Sequence, residues 1–440
     1  MPDIVSYRLS VAPELDAFRP ELEYACDFLD RCHFTKRVPE SPTVLHYGPN
    51  PPEEAISNPA YLFPDGVRLN EDGIHPVPAF IDWQIRSTGL GGIFPQGDAG
   101  CSGTAISYDA LGTIFFMLSR IEERDASGTD RYGRFPYDAS AMARVNMHSD
   151  IPPADRAAQD LAQLLTGNAE PAIRSVFDVM LTHDVDKLRG YHRFFGPVRS
   201  IAGDLVKRHA PIAALHRARD AWFSGEPWQS VNELMTLSEL HGFRSRFYFM
   251  GPTQLSMDSP YAATMPHLLR KVTDTIRERG HVVGFHPGFD TVTDPEEWQR
   301  QHRALETITG ASIREGRQHV LRYAAGITPD IWDEAGMDLD STLAFPETTS
   351  FRAGTCRRFQ AYSLRRRRPM RLEQVSTTIM DFGMFGGKYR DLSTDDAFEE
   401  CQAAIRTCRA LGGTLVILYH TGQTRTPMHA FYERLLSELH

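Results

Sequence analysis

The chain has 440 residues, which is too long for one typical hydrophobic core, so two domains are expected. Its hydrophobic content of 41% and charged content of 24% are those of an ordinary globular protein, and its formal charge of -10 argues against a general nucleic-acid binder. The sequence shows neither a run long enough for a membrane span nor a basic region followed by an apolar run at its start, so cytoplasm is the expected location.

Residues 1–170 are predicted to form a first, smaller α/β domain. Apolar residues at helical spacing from Leu22 to Cys32 predict one helix, and a stripe of apolar residues over 109–123 predicts an amphipathic second, with Asp109 as its N-terminal cap. A further helix is expected over residues 155–165. The glycines of residues 89–92 indicate a turn rather than a phosphate-binding loop, because no helix clearly follows them. This half carries no metal-ligand spacing, and a structural or substrate-positioning role is expected for it.

Short apolar runs alternate with helical patterns from residue 171 onward, which is typical of parallel strands joined by crossover helices. We predict strands over residues 176–181, 246–250, 281–285, 338–343 and 414–419, and helices over residues 231–241, 267–279, 296–309, 330–335 and 395–411. A glycine ends each of these helices, at Gly242, Gly280, Gly310, Gly336 and Gly412. This regular order predicts a (β/α) barrel over residues 171–440.

Polar side chains follow the first of these predicted strands, in the sequence Thr182-His183-Asp184-Val185-Asp186. Ligands of parallel α/β sheets collect at the carboxyl ends of the strands. Side chains two apart on an extended backbone point the same way, so Asp184 and Asp186 are expected to converge. Two carboxylates at such a short distance repel each other unless a cation lies beside them. A solvated strand end with ordinary acids is the alternative.

Three further strand ends carry a histidine. His286 is followed by Pro287-Gly288-Phe289-Asp290, and on a helix His286 and Asp290 would lie four apart on one side, which is the spacing of two ligands to one metal. A Pro-Gly turn with an incidental histidine is the alternative. His319 and His420 follow the other two apolar segments. Because barrel strands deliver their carboxyl ends to one rim, these side chains are expected to lie close together.

Residues 175–440 resemble the polysaccharide deacetylase domain, carbohydrate esterase family four, whose fold is a distorted (β/α) barrel. Residues 182–186 are similar to its first motif, which implies Asp184 as the catalytic base and Asp186 as a metal ligand. Residues 286–290 are similar to the second motif, which implies His286 as a second ligand. Asp290 stands where that motif has another histidine and is expected as the third ligand, with His319 as its competitor. His319 is otherwise expected among the catalytic residues.

Three more motifs carry the resemblance. Residues 317–319 are similar to the third motif, which implies that Arg317 pairs with the base. Residues 337–342 are similar to the fourth motif. The segment ending at His420 is similar to the fifth, which implies this histidine as the general acid, kept charged by Asp340 or Asp381. The first half, with residues 118–123 and 132–136, resembles a domain of unknown function found ahead of such deacetylases.

The resemblance implies a metal-dependent enzyme that removes acetyl groups from N-acetylated sugars of a polysaccharide, an oligosaccharide or a precursor. A divalent metal is expected, Zn²⁺ first, with Co, Mn, Ni or Fe as alternatives. The expected partner is a carbohydrate; the sequence gives no oligomeric state. Two other functions stay open: hydrolysis of other C–N bonds, such as those of cyclic ureides, and a catalytically silent carbohydrate-binding protein, which the departure at Asp290 favours.

A basic cluster at residues 365–368 stands out in this acidic chain. Such a run is typical of a solvated loop. The alternative is an anion site for a phosphorylated or uronic sugar.

Overall fold

The structure, a computed structural model, describes residues 2–48, 61–62, 68–69, 76–77, 106, 108–124, 126, 128–144, 151–188, 227–253, 257–385, 387–423 and 428–440. The glycine-rich segment at residues 89–92 lies outside these described residues. None of the helices in the described ranges is long and apolar enough to cross a membrane.

The described chain is a mixture of strands and helices, which confirms the α/β class. The strands are β1 (Val5–Val11), β2 (Thr35–Arg37), β3 (Val44–Tyr47), β4 (Tyr61–Leu62), β5 (Arg68–Leu69), β6 (Pro76–Val77), β7 (Asp178–Val185), β8 (Ser245–Phe249), β9 (Val282–Phe285), β10 (Glu315–Gly316), β11 (Leu339–Asp340), β12 (Phe359–Ser363), β13 (Arg368–Gln374), β14 (Thr377–Met380) and β15 (Thr414–Leu418).

The described residues form twelve α-helices. Eight of them match predicted helices to within four residues, and those at residues 141–144, 261–264, 381–384 and 428–437 were not predicted. The twelve are α1 (Arg19–Cys32), α2 (Ala110–Ser119), α3 (Ala141–Arg144), α4 (Pro153–Thr166), α5 (Pro227–Leu240), α6 (Tyr261–Thr264), α7 (Pro266–Glu278), α8 (Pro295–Thr309), α9 (Thr328–Glu334), α10 (Asp381–Met384), α11 (Thr394–Leu411) and α12 (Met428–Ser437). The glycines predicted to end five of them all have positive φ, between 61° and 78°, as left-handed C-terminal residues do.

The chain divides into two compact units by its contacts. The first combines residues 1–179 with residues 320–416, and the second combines residues 180–319 with residues 417–440. A separate domain of residues 1–170 stays a prediction, because these residues share their unit with a later part of the chain. Closure of the strands into a distorted barrel stays a prediction too.

The first unit contains a sheet with the strand order β2-β1-β3-β4, in which all pairs are parallel. Helices α1, α2 and α4 contribute buried apolar side chains to its core. Every residue of α2 is buried, including Thr113 and Ser119, so this helix is covered on all sides and does not have the exposed polar face that the amphipathic pattern predicted. The predicted cap is confirmed, since the Asp109 side chain accepts a hydrogen bond from the Gly112 amide.

The second unit is organised around parallel strands in the order β10-β9-β8-β7. Their register aligns Val185 with Phe249, Phe249 with Phe285, and Phe285 with Gly316. The four strands therefore end level with one another, and the residues that follow them emerge at one edge of the sheet. A side chain at Gly316 would clash with the Phe285 carbonyl oxygen, so glycine lets β10 lie against β9.

Strand β7 begins and ends later in the sequence than predicted. Val176 is 83% exposed, and β7 runs from Asp178 to Val185. Ladder pairing with β8 continues through Asp184, so most of the polar motif lies inside the strand.

The basic cluster at residues 365–368 forms the turn between β12 and β13. Arg365 and Arg366 both pair with Glu334, and Arg367 pairs with Glu21 at 2.7 Å. Carboxylates of the same unit thus already pair with three of the four arginines. This pairing favours the solvated loop over the anion site.

Candidate metal centre

Three side chains that follow β7, β9 and β10 converge at the carboxyl edge of the second unit's sheet. They are Asp186, His286 and His319, and one potential ligand atom from each lies within 4.8 Å of the others. His286 Nε2 lies 3.6 Å from Asp186 Oδ1, and His319 Nε2 lies 4.0 Å from the same oxygen. Two of the three come from the predicted metal ligands, and the third is the histidine that the sequence left in competition.

Hydrogen bonds fix the tautomer of both imidazoles. His286 Nδ1 lies 2.6 Å from the carbonyl oxygen of Arg317, and His319 Nδ1 lies 2.6 Å from Asp258 Oδ1. Because neither oxygen carries a proton to give, each Nδ1 is the donor. The Nε2 atom of each neutral ring then offers a lone pair on the side of Asp186.

This donor set fits a divalent cation. Ligands about 2.0 to 2.1 Å from one ion in tetrahedral geometry lie about 3.4 Å apart, close to the separations of Asp186 from the two imidazoles. Two imidazole nitrogens and a carboxylate are a ligand type found in catalytic zinc sites, where three protein ligands leave room for water or substrate. Asp186, His286 and His319 are therefore the residues that would hold the metal.

The charges around the site favour a cation there. Burial opposes the charged imidazolium of His286, yet the carboxylates of Asp184 and Asp186 raise its pKa above the ordinary value. Burial would likewise raise the pKa of Asp186, but its hydrogen bond with His286 and its electrostatic interactions with His420, His286 and His319 hold this pKa far below its usual range. The pocket thus attracts positive charge even without a metal.

Asp184 lies beside the three ligands and is paired with an arginine. Arg317 is fully buried and donates from Nη1 to Asp184 Oδ1 at 2.9 Å and from Nη2 to Thr182 Oγ1 at 2.9 Å. The hydroxyl of Thr182 in turn donates to the Ile417 carbonyl oxygen. Asp184 Oδ2 lies 3.8 Å from His286 Nε2, so this second oxygen faces the ligand group. The predicted pairing of Arg317 with Asp184 is present.

Asp290 does not belong to the ligand group. It is exposed on the 3-10 helix Phe289–Thr293, and among the described residues the group that could hold a metal contains His319 in its place. The sequence spacing assumed that a helix begins directly after His286. The backbone instead continues through Pro287 and Gly288 before it turns, which separates the two side chains.

His420 follows β15 and is half-buried. Its positive charge contributes to the low pKa of Asp186, so it lies within electrostatic reach of the site. Asp340 accepts hydrogen bonds from the Thr342 amide and from Gln374 Nε2. The choice between Asp340 and Asp381 as partner of His420 stays open.

Two neighbouring residues have roles that the sequence did not give. Asp258 is buried and accepts hydrogen bonds from His319, from the Phe289 amide and from Thr253. Burial would raise its pKa, but His319 and these donors lower it, so Asp258 stays a carboxylate. His183 is a structural member of the first motif, because its two nitrogens contact the Tyr419 carbonyl oxygen and Ser245 Oγ.

Comparisons with known proteins give one family match and several structural matches. Residues 16–170 match DUF7033, a family of unknown function. No curated protein matches the chain.

Several solved structures resemble the chain at low identity. A protein from Mycobacterium smegmatis described as a polysaccharide deacetylase is 18% identical, with 60% of this chain and 84% of that chain covered and a TM-score of 0.40. A peptidoglycan N-acetylglucosamine deacetylase is 13% identical, with 60% and 86% covered and a TM-score of 0.29. A CE4 family pseudoenzyme from Bacillus anthracis is 10% identical, with 59% and 61% covered and a TM-score of 0.28.

Proposed function

We propose that this protein is a metal-dependent hydrolase that removes acetyl groups from N-acetylated sugars of a polysaccharide, an oligosaccharide or a precursor. One observation carries the proposal: three potential ligands, Asp186, His286 and His319, lie around one point, and a separate carboxylate, Asp184, lies beside them on a buried arginine. A group that only bound metal would not need the second carboxylate.

A divalent cation, Zn²⁺ in the first instance, would be held by Asp186, His286 and His319. When bound, it would supply Lewis acidity and lower the pKa of a water molecule into the neutral range. The hydrogen bonds from the two Nδ1 atoms keep the imidazoles oriented with Nε2 toward that point.

Asp184 is the proposed general base. Its Oδ1 is occupied by Arg317, whereas its Oδ2 faces the ligand group and can take a proton from the attacking water. Arg317 orients this carboxylate and offsets its charge. The bond from Arg317 to Thr182 fixes the guanidinium itself.

His420 is the proposed general acid. Hydrolysis adds the hydroxyl of water to the acetyl carbon and breaks its bond to nitrogen, so acetate and a free amine are formed. An amine leaves poorly as an anion, so the nitrogen must receive a proton as the bond breaks. His420 follows β15 and lies within electrostatic reach of Asp186, which places it beside the proposed metal ligands.

The choice of N-acetylated sugars as substrate comes from the order of the sequence motifs. Hydrolysis of other C–N bonds would use the same groups and stays the alternative within enzymes. The case for a catalytically silent protein rested on Asp290 replacing a histidine ligand, and it weakens because His319 completes the group.

Metal analysis combined with acetate release from chitooligosaccharides tests the proposal. Asp184→Asn is expected to keep the metal and to lower turnover by about 10² to 10⁴, the usual contribution of a general base. Asp186→Ala and His286→Ala are expected to lose the metal as well as activity. Near-normal turnover in Asp184→Asn would contradict the assignment of the base, and an absence of acetate release in the metal-loaded wild type would contradict the reaction.

A further inference from the structure

The backbone directly after His319 adopts a strained turn. Val320 and Leu321 have φ values of 61° and 59°, in the left-handed region that favours glycine. For a β-branched residue such as Val320 this conformation is a genuine outlier, and positions of this kind cost about 1 to 3 kcal/mol each. Such a turn persists only where neighbouring groups hold it.

Arg134, from the Tyr132-Gly133-Arg134-Phe135-Pro136 segment, is one group that holds this turn. Its Nη1 donates to the carbonyl oxygen of Val320 at 3.2 Å. The carbonyl belongs to the peptide plane between Val320 and Leu321, so the bond acts on the torsions that are strained. Arg134 and Val320 belong to the same compact unit.

The guanidinium of Arg134 is itself fixed. It is 3% exposed, donates from Nε and Nη2 to Asp130 Oδ2 at 2.9 and 2.5 Å, and donates from Nη2 to the Tyr389 hydroxyl at 3.0 Å. Asp130 Oδ1 also accepts the Tyr132 and Arg134 amides, which ties the same carboxylate to the backbone of the segment. Arg134 can therefore act as a rigid support for the Val320 carbonyl.

Both sides of His319 are then held. Its own amide donates to the Pro287 carbonyl oxygen at 3.0 Å, and Arg134 holds the peptide plane one residue further on, between Val320 and Leu321. We propose that Arg134 is a positioning residue for the metal ligand His319, acting through the strained Val320 turn. This inference rests on the proposed metal site and gives the tyrosine–glycine–arginine segment of the first 170 residues a task in it.

The strain at Val320 supplies a specific test. Asn adopts the left-handed conformation far more readily than valine does, so Val320→Asn should hold the turn with less help. If Arg134 acts by stabilising that turn, Val320→Asn will offset the loss of Arg134. If Arg134 only supports the fold elsewhere, the second substitution will change nothing.

The experiment measures Zn²⁺ affinity, by competition with a chromophoric chelator, together with amide hydrogen exchange of peptides covering residues 317–323 in the full chain. Arg134→Ala is expected to weaken Zn²⁺ binding by about 10- to 100-fold, as loss of outer-shell support does, and to speed exchange in these peptides. The double variant Arg134→Ala with Val320→Asn is expected to recover most of both. Arg131→Ala is the matched control, since this exposed neighbour lies over the Tyr132 ring and should leave both readings at wild-type values.

The proposal would be overturned if Arg134→Ala kept the Zn²⁺ affinity and the amide hydrogen exchange of the wild type. It would also be overturned if Arg134→Ala lost Zn²⁺ affinity and Val320→Asn did not restore it. A wild-type chain that binds no Zn²⁺ would instead overturn the metal site and the ligand role of His319. Exchange at residues 317–323 would still decide whether Arg134 holds the turn, so the two failures can be told apart.

Discussion

At the scale of single residues, the third metal ligand is either His319 or Asp290, and the two choices give different metal sites. His319 Nε2 faces Asp186, and its Nδ1 is held by a buried carboxylate, whereas Asp290 is exposed on a short 3-10 helix. A ligand needs both a lone pair aimed at the ion and a partner that keeps it aimed. His319 has both.

Substitution of each residue separates the two sites. His319→Ala should weaken Zn²⁺ binding by more than about 100-fold, above the loss typical of an outer-shell partner. Asp290→Asn should leave the affinity unchanged and serves as the matched control. Isothermal titration of the metal-free protein measures both. The reverse pattern would restore Asp290 as the third ligand.

Side chains on strands could be anticipated from the sequence better than those on loops. Asp184 and Asp186 share a face because strand geometry has a period of two, and Arg317 follows the end of the strand beside His286. Asp258 was not predicted, because it lies nine residues beyond β8 and no local pattern fixes where that loop returns. The spacing of His286 and Asp290 was predicted on a regular helix, but the chain passes through Pro287 and Gly288 before the 3-10 helix begins.

Boundaries of whole elements depend on partners that a local pattern does not contain. The apolar run beginning at Val176 indicated an early strand, but ladder pairing with β8 fixes β7 from Asp178 through the polar motif. Helix α2 appeared amphipathic because only its most apolar stripe was counted. Its other side is covered as well, which depends on residues far away in the chain.

The N-terminal cap of α2 makes a prediction at this scale. Burial raises the pKa of Asp109 to about 6, although hydrogen bonds from Tyr47 and the Gly112 amide lower it. In the unfolded chain the value is about 3.9. Between about pH 4 and pH 6 the folded protein therefore binds more protons, so the stabilisation from protonated Asp109 is lost as the pH rises through this window.

Asp109→Asn keeps an oxygen for capping and removes the titration. Its free energy of unfolding relative to wild type should increase by about 2 to 3 kcal/mol between pH 4 and pH 7.5, because about two pKa units separate the folded and unfolded carboxyl. Urea unfolding at several pH values measures this difference. The exposed Asp3→Asn is the control, and a difference for Asp109→Asn that does not vary with pH would contradict the assignment.

The core of the first unit is built from segments that are far apart in the sequence. Side chains from the first 165 residues pack with Tyr323, Phe345 and Phe359 in one apolar cluster. Buried ion pairs join the same two stretches: Arg352 donates to Glu123 at 2.7 Å, and Arg357 donates to Asp155 at 3.0 Å. Periodicity predicts each helix and strand locally, but it does not indicate which distant segments share a core.

These contacts predict the behaviour of residues 1–170 expressed alone. Without residues 320–416, the apolar cluster loses Tyr323, Phe345 and Phe359 and is exposed to water. Glu123 and Asp155 also lose Arg352 and Arg357 as partners. We therefore expect the fragment to lack cooperative thermal unfolding and to give poorly dispersed amide resonances, whereas the full chain unfolds cooperatively. A fragment that melts cooperatively with dispersed resonances would contradict this expectation and would support the boundary near residue 170, because the core within those residues would then be sufficient on its own.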